Sequence, residues 1–298
     1  MRPSTLKKSK EAIIGFFEKS HINIFSVNAL SEIMNNNRQH WKLAEYLGVG
    51  HFIEFLKEEG RLFSIEIAFT NNGSLVNQYQ RFVWEKANVW GVMQSIYPKG
   101  YFSHIAAVYL LGLTEQVPKK LFIKNEVLAP GSGDKAAATL NQANINKAFK
   151  LPARKSNTQA TYDIYTVYYL VGEKTDDLGI TKAIIEGTEV RTTNLERTLI
   201  DIAVRPQYFG GANEIVNIYR KAASKVSINK LQSILKRLNY KYPYQQVIGF
   251  YMEKAGNYTD FQLGIIERMG TPYDFYLTNQ IQLTDYSSRW RLYYPKGL

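Results

Sequence analysis

The sequence predicts an α+β protein with an N-terminal winged helix-turn-helix, followed by a larger mixed α/β domain that includes a helical subregion. Within the first 60 residues, apolar side chains recur at helical spacing in three segments. Two strand-like runs with an Asn-Gly turn between them come next, and the remaining chain alternates between strand and helix patterns. We therefore expect one domain over residues 1–86 and a second over 87–298.

The elements of the first domain are marked by apolar spacing and by the residues that end each run. Ser26 or Asn28 can cap the second helix, Gly48-Val49-Gly50 interrupts the chain before the third, and Asn71-Asn72-Gly73 predicts a turn. The predicted order is a helix at 9–19, a strand at 24–25, a helix ending at Met34, a helix ending at Glu59, and strands at 62–69 and 80–84.

In a winged helix-turn-helix, one helix enters the major groove of DNA and nearby cations hold the phosphates. The candidate DNA contacts are Arg38, His40 and Lys42 before the third helix, His51 and Lys57 on it, and Arg61 and Arg81 at the wing. Such a module can also serve only to bind proteins, and His51 is equally well explained as an ordinary surface histidine. The Asn-rich turn at 35–37 and the glycines around the third helix leave the recognition helix open.

The elements of the second domain follow from the same rules. Ser103 is expected to cap a helix over 105–111, and His104 beside it is better explained by capping than by acid–base chemistry. The other predicted helices are 135–149, 193–204, 211–224, 227–238, 243–255 and 261–269, and the predicted strands are 121–124, 161–171, 180–185, 189–192, 273–278 and 289–294.

The net charge of +11 is concentrated in the helical subregion at about 211–256. Between Ile215 and Met252 there are seven Lys and Arg residues and no acidic residue, which favours nucleic acid or an acidic protein as partner. A solvated helical face without a partner is the alternative. As further phosphate contacts we select Arg220, Lys221, Lys225, Lys236 and Arg237.

Composition also bears on location and on chemistry. The chain has no cysteine, which fits a reducing cytoplasm, and its most apolar run, 105–113, is too short to span a bilayer. Gly131-Ser132 suggests a nucleotidyltransferase, but Asn144 and Asn146 stand where metal-binding carboxylates are needed. Phosphate-binding loops, dinucleotide fingerprints and zinc-ligand spacing are missing. We therefore expect no catalytic residue, no metal and no cofactor.

The segment TTNLERTLIDIAVRPQYFGG at 192–211 predicts a short capped helix. Thr193 or Asn194 can cap it, and Leu195, Leu199 and Ile202 form the apolar stripe. We expect Arg197 and Asp201, four residues apart, to pair at the surface, and Glu196 to suit the positive end of the helix dipole. A structural role for these charges is favoured over contact with a partner.

Three stretches carry a family resemblance. They are YFSHIAAVYLLGLTEQVP at 101–118, the ERTL segment just described, and FYL…WRLYYPKGL at the end of the chain. Together with the N-terminal pattern they resemble the AbiEi family, the antitoxins of type IV toxin–antitoxin pairs. The family motif would place Ser103, His104, Thr193, Glu196, Arg197 and Asp201 in a structural or antitoxin role.

The resemblance implies a function in two parts. The N-terminal domain would bind inverted repeats upstream of its own operon and repress it. The C-terminal domain would oppose a toxin that resembles a nucleotidyltransferase, without requiring a stable complex with it. A protein-interaction module that docks an acidic partner and has no DNA role is the alternative.

Overall fold

The computed structural model describes residues 5–59, 61–127 and 140–298 of the chain, and its fold is mixed α+β as the sequence predicts. The helices are α1 (Thr5–Lys8), α2 (Lys10–Lys19), α3 (Val27–Asn36), α4 (Val49–Glu58), α5 (Val89–Ile96), α6 (Ile105–Leu110), α7 (Gln142–Lys150), α8 (Leu195–Val204), α9 (Ala212–Ala222), α10 (Ile228–Leu238), α11 (Tyr244–Ala255) and α12 (Asp260–Glu267). The strands are β1 (Ile24–Phe25), β2 (Leu62–Asn71), β3 (Ser74–Trp84), β4 (Tyr101–Phe102), β5 (Lys120–Val127), β6 (Thr158–Tyr162), β7 (Tyr165–Glu173), β8 (Ile180–Ile185), β9 (Thr188–Thr193), β10 (Phe275–Tyr276), β11 (Thr284–Ser287) and β12 (Leu292–Pro295).

The chain forms two compact units, and the first is discontinuous in sequence. It consists of residues Met1–Pro98 together with Thr158–Thr166 and Glu186–Thr188. The second unit contains the rest of the chain. Within the first unit the strands lie in the order β1-β3-β2-β6, and each neighbouring pair is antiparallel.

Helices and strands of the first unit follow the predicted order. Ser26 caps α3, since its side chain accepts a hydrogen bond from the Ala29 backbone N–H. The turn between β2 and β3 has positive φ at Asn72 and Gly73, the conformation that an Asn-Gly pair adopts easily. Because this turn is tight, β3 begins at Ser74 instead of at residue 80.

The core of the first unit is aromatic. Phe17 of α2 stacks on Trp84 of β3 with ring centroids 4.9 Å apart, and Trp41 stacks on Phe52 of α4 at 5.9 Å. All four rings are at most 4 % exposed. Burying large rings provides much of the hydrophobic stabilisation in a unit of this size.

The second unit combines a sheet with a helical layer. Its strands lie in the order β7-β5-β4-β9-β8, with β4 antiparallel to β5 and parallel to β9. A smaller sheet, β10-β12-β11, pairs Phe275 with Leu292 in parallel. The helices α9 to α12 match the predictions to within three residues at each end. The apolar spacing is strongly one-sided in α9 and α10.

Two predictions for the second unit are wrong. The expected strand at 161–171 is two strands, β6 and β7, because the chain turns at Asp163 with a positive φ of 53°. The cap of α6 is His104 and not Ser103, and no side chain caps this helix by hydrogen bonding. Residues 135–139 of the expected polar helix and the Gly131-Ser132 pair lie outside the described residues.

In the described ranges, no helix combines the length and the apolar character that crossing a membrane requires.

Candidate functional site

The second unit contains a cavity of about 780 Å³. Its wall comes from β5 and β7, from α8 and the turn that follows it, and from the segment between α10 and α11. Small-molecule sites usually occupy about 300–1,000 Å³. Three buried residues of the sequence motifs line the cavity, and we call these three its floor: His104, Arg197 and Asp201.

Arg197 and Asp201 form an ion pair in the interior. Arg197 Nε lies 2.9 Å from Asp201 Oδ1, and the two side chains are 1 % and 4 % exposed. The pairing is as predicted, but its expected place at the surface is wrong. Eight of the ten residues of α8 are buried, so this helix has no solvent face.

A neighbouring loop completes the hydrogen bonding of the guanidinium. Arg197 Nη1 donates to the backbone oxygen of Leu178 at 2.9 Å. The loop can approach because Gly179, with φ of 74°, has no side chain; a Cβ there would lie 2.7 Å from Arg197 Cβ.

The other residues of this motif hold α8 in place. Asn194 caps the helix through the Arg197 N–H, and Thr193 Oγ1 lies 2.7 Å from Thr198 Oγ1. Glu196 accepts a hydrogen bond from the Ser227 N–H at 3.1 Å and pairs with Lys230 at 2.9 Å. Glu196 thereby fastens the start of α10 to α8.

His104 is buried in a strained conformation. It is 3 % exposed, and its φ of 55° is rare for a residue with a side chain. Its Nδ1 lies 2.9 Å from Ser103 Oγ, while its Nε2 has no hydrogen-bond partner among the described residues. His104 thus occupies the cap position of α6, but its side chain forms no capping hydrogen bond, and the residue lines the cavity.

Burial and neighbouring charges shift the pKa values of ionisable groups in the cavity. Burial, reinforced by Arg197 and Arg205, lowers the pKa of Lys124. Burial disfavours the Asp201 carboxylate, but the Arg197 and Lys124 cations outweigh it and hold the pKa of Asp201 below its usual value. Asp201 Oδ2 has no hydrogen-bond partner in the described part of the chain.

Burial lowers the pKa of His104 from 6.5 to about 4, with a smaller opposing effect from Asp201, and this predicts how stability depends on pH. In the unfolded chain the His104 imidazole is protonated near pH 6.5, whereas in the folded chain it is protonated only near pH 4. The contribution of neutral His104 to the free energy of unfolding is therefore fully present above pH 6.5. It is lost as the pH drops toward 4, by about 3 kcal/mol in total.

We expect His104→Asn, which stays neutral, to flatten that decline when urea unfolding is followed through this pH window. The exposed His51 provides the control, since His51→Asn should leave the pH profile unchanged. An unaltered decline in His104→Asn would show that another group causes it.

The residues chosen as DNA contacts divide into three groups. Five side chains are held by other parts of their own unit: Arg38 by the Leu47 oxygen, Arg61 by Glu18 and Glu85, Arg81 by Ser95, Arg220 by the Ala255 oxygen and Lys221 by the Leu113 oxygen. Lys57 pairs with Glu54 on the same helix at 2.9 Å. His40, Lys42, His51, Lys225, Lys236 and Arg237 are exposed.

Sequence reasoning missed most of the cavity. Lys124 and Tyr240 line it and lie in no motif, and Arg205 and Tyr208 line it from the 192–211 segment, where nothing in the sequence singled them out. These residues lie on separate elements that meet only in the folded chain. Among the described residues, no three His, Cys, Asp or Glu side chains come together as metal ligands would.

Comparison with known proteins shows that the fold of this chain is similar to that of a solved structure. No family model matches the chain, and neither does any curated protein. Among solved structures, the crystal structure of the RV2827C protein from Mycobacterium tuberculosis is similar, with a TM-score of 0.60 and 11 % identity. The alignment covers 96 % of this chain and 91 % of that one. The chain thus shares its overall fold with that protein, at a distance where fold similarity does not carry function.

Proposed function

We propose that the chain is a DNA-binding autorepressor and the antitoxin of a type IV toxin–antitoxin operon, and not an enzyme. The observation that carries the proposal is the order and pairing of elements in the first unit. A helix, a short strand, two helices and a long hairpin follow one another, and β1 pairs with β3. From this order we infer a winged helix, in which α4 would be the recognition helix and β2–β3 the wing.

Exposed groups near α4 support DNA contact there. His40 and Lys42 lie in the loop before the helix and His51 in its first turn, all with exposed side chains. Glu54 and Glu58 on the same helix are also exposed, so α4 is not uniformly basic. We therefore assign phosphate contact to the loop and base contact to the start of α4.

The basic helices α9 and α10 add a second set of exposed cations. Lys225, Lys236 and Arg237 have no ion-pair partner among the described residues, whereas Arg220 and Lys221 are held by backbone oxygens. We propose that the first three also contact DNA phosphates.

Operator binding should weaken when the exposed cations are neutralised. For Lys42→Ala we expect a lower affinity for the upstream promoter fragment and a salt slope reduced by about one unit, since one phosphate contact releases about one counterion. Lys225→Ala, Lys236→Ala and Arg237→Ala, combined, should reduce the slope further. Fluorescence anisotropy at several salt concentrations measures both quantities.

The matched control is Lys182→Ala, because Lys182 is exposed but already paired with Glu189. If both the Lys42 variant and the triple variant keep the wild-type affinity and salt slope, the proposed phosphate contacts of these residues are wrong. No binding of promoter DNA by the wild-type chain would instead favour the alternative, an interaction module that docks an acidic protein.

The antitoxin role rests on the family resemblance and has its own test. Expressing the chain with the product of a neighbouring nucleotidyltransferase-like gene should restore growth that the second protein alone arrests. If growth stays arrested, the antitoxin role is contradicted, and the proposed DNA binding is not affected by that result.

A further inference from the structure

The cavity of the second unit has a large excess of positive charge. Lys124, Arg154, Lys155, Arg205 and Lys241 line it, and none of these forms an ion pair with a described residue. The two carboxylates in the wall are Glu173 and Asp201, and Asp201 already neutralises Arg197. A partly enclosed site with unpaired cations favours an anionic ligand, which lysine and arginine hold with charge-assisted hydrogen bonds.

Aromatic rings also line the cavity. Tyr208, Tyr240, Tyr242 and Tyr244 all line it. The rings of Tyr240 and Tyr242 stand edge-on to that of Tyr244, with centroid distances of 5.3 and 6.2 Å. Tyrosines placed beside cations bind flat ligand rings by stacking, whatever the exact ring.

Two polar atoms at the floor lack partners. His104 Nε2 and Asp201 Oδ2 are buried without a hydrogen bond to any described residue, and each residue is 3 % exposed. Buried polar atoms in folded proteins are nearly always hydrogen-bonded, so these two call for a partner inside the cavity. A carboxylate oxygen accepts from a hydroxyl or amino group, and His104 lines the same cavity.

A nucleotide combines the three features that this wall selects: an anionic group, a flat ring, and hydroxyl or amino donors. We propose that the cavity binds a nucleoside monophosphate, with the phosphate on the cations and the base among the tyrosines. The cavity volume of about 780 Å³ suits a ligand of this class. The proposal is independent of DNA binding, because every lining residue belongs to the second unit.

Gly172 positions the lysine that faces the ligand. A Cβ at Gly172 would lie 2.1 Å from Lys124 Cε, so the bare backbone of β7 leaves room for the Lys124 stem. The atom that an alanine would displace is near the end of a flexible chain. Gly172→Ala should therefore move the ammonium group while leaving the fold intact.

Calorimetric titration of the full chain at low ionic strength tests the proposal. The probes are AMP, GMP, CMP and UMP, with adenosine and inorganic phosphate as partial ligands. We expect at least one monophosphate to bind with a Kd below about 1 mM, and adenosine and phosphate to bind at least roughly tenfold more weakly. The complete ligand gains from both halves of the cavity.

Variants then locate the site. Lys124→Met and Arg205→Met should each weaken binding roughly tenfold, as expected for loss of one charge-assisted hydrogen bond. Gly172→Ala should weaken it as well, whereas Lys182→Met, which removes an exposed cation outside this wall, should not. Thermal unfolding of each variant confirms that it is folded.

Three results would overturn the proposal. They are failure of all four monophosphates to bind at about 1 mM, wild-type affinity in both Lys124→Met and Arg205→Met, and phosphate binding as tightly as the monophosphates. Because Arg205 is exposed at the rim, its variant stays informative even if Lys124→Met fails to fold.

Discussion

Replacing Arg197 with methionine is expected to lower the free energy of unfolding by about 3–5 kcal/mol. The substitution leaves the Asp201 carboxylate buried without its cation, and it removes the donor to the Leu178 oxygen. A charge that loses its partner in the interior cannot regain water without opening the structure. Urea unfolding at neutral pH measures the loss.

The double variant Arg197→Met with Asp201→Leu is the matched control. Removing both charges leaves no uncompensated ion, so this variant should be more stable than Arg197→Met alone. If Arg197→Met costs less than about 1 kcal/mol, the pair is exposed to solvent in the folded chain and the interior placement is wrong.

The contact between Trp290 and α11 should be almost as costly to break. Trp290 is fully buried, and its Nε1 donates to Glu253 at 3.0 Å. We expect Trp290→Ala to lower the free energy of unfolding by about 3–5 kcal/mol through lost burial and the cavity that remains. Chemical denaturation followed by circular dichroism measures this without relying on tryptophan fluorescence.

Gly249 allows the indole to lie against the helix and gives the prediction a control. A Cβ at this position would lie 2.1 Å from Trp290 Cζ3, so Gly249→Ala should overpack the site and cost about 1–3 kcal/mol. Combined with Trp290→Ala, the same change should cost almost nothing, since its clash is gone. Equal costs in the two backgrounds would contradict this contact.

Local pattern was enough for much of the secondary structure. The apolar spacing of α2, α9, α10 and α11 and the Asn72-Gly73 turn are local properties, so the sequence predicts them well. The prediction of one strand at 161–171 is wrong because the alternation of aromatic and β-branched residues continues across the Asp163 turn. No Gly or Pro marks this turn, and a left-handed aspartate gives little signal in sequence.

The candidate site could not be predicted from local sequence pattern. An Arg and an Asp four residues apart have the same spacing on an exposed helix and on a buried one, and only the elements packed around α8 decide. Lys124, Tyr208 and Tyr240 are likewise ordinary residues in sequence. Their proximity arises from tertiary structure, and the same holds for the unpartnered His104 Nε2.

The broken sequence of the first unit has a consequence for its synthesis on the ribosome. Its strand β6 pairs with the end of β2, joining Thr70 to Gln159 and Asn71 to Thr158, and residues Glu186–Thr188 belong to the same unit. A nascent chain that has emerged only to Pro98 holds the helices and the hairpin but presents the end of β2 as an open strand edge. This unit can therefore be completed only after residue 188 has emerged, so it does not mature ahead of the segment that follows it.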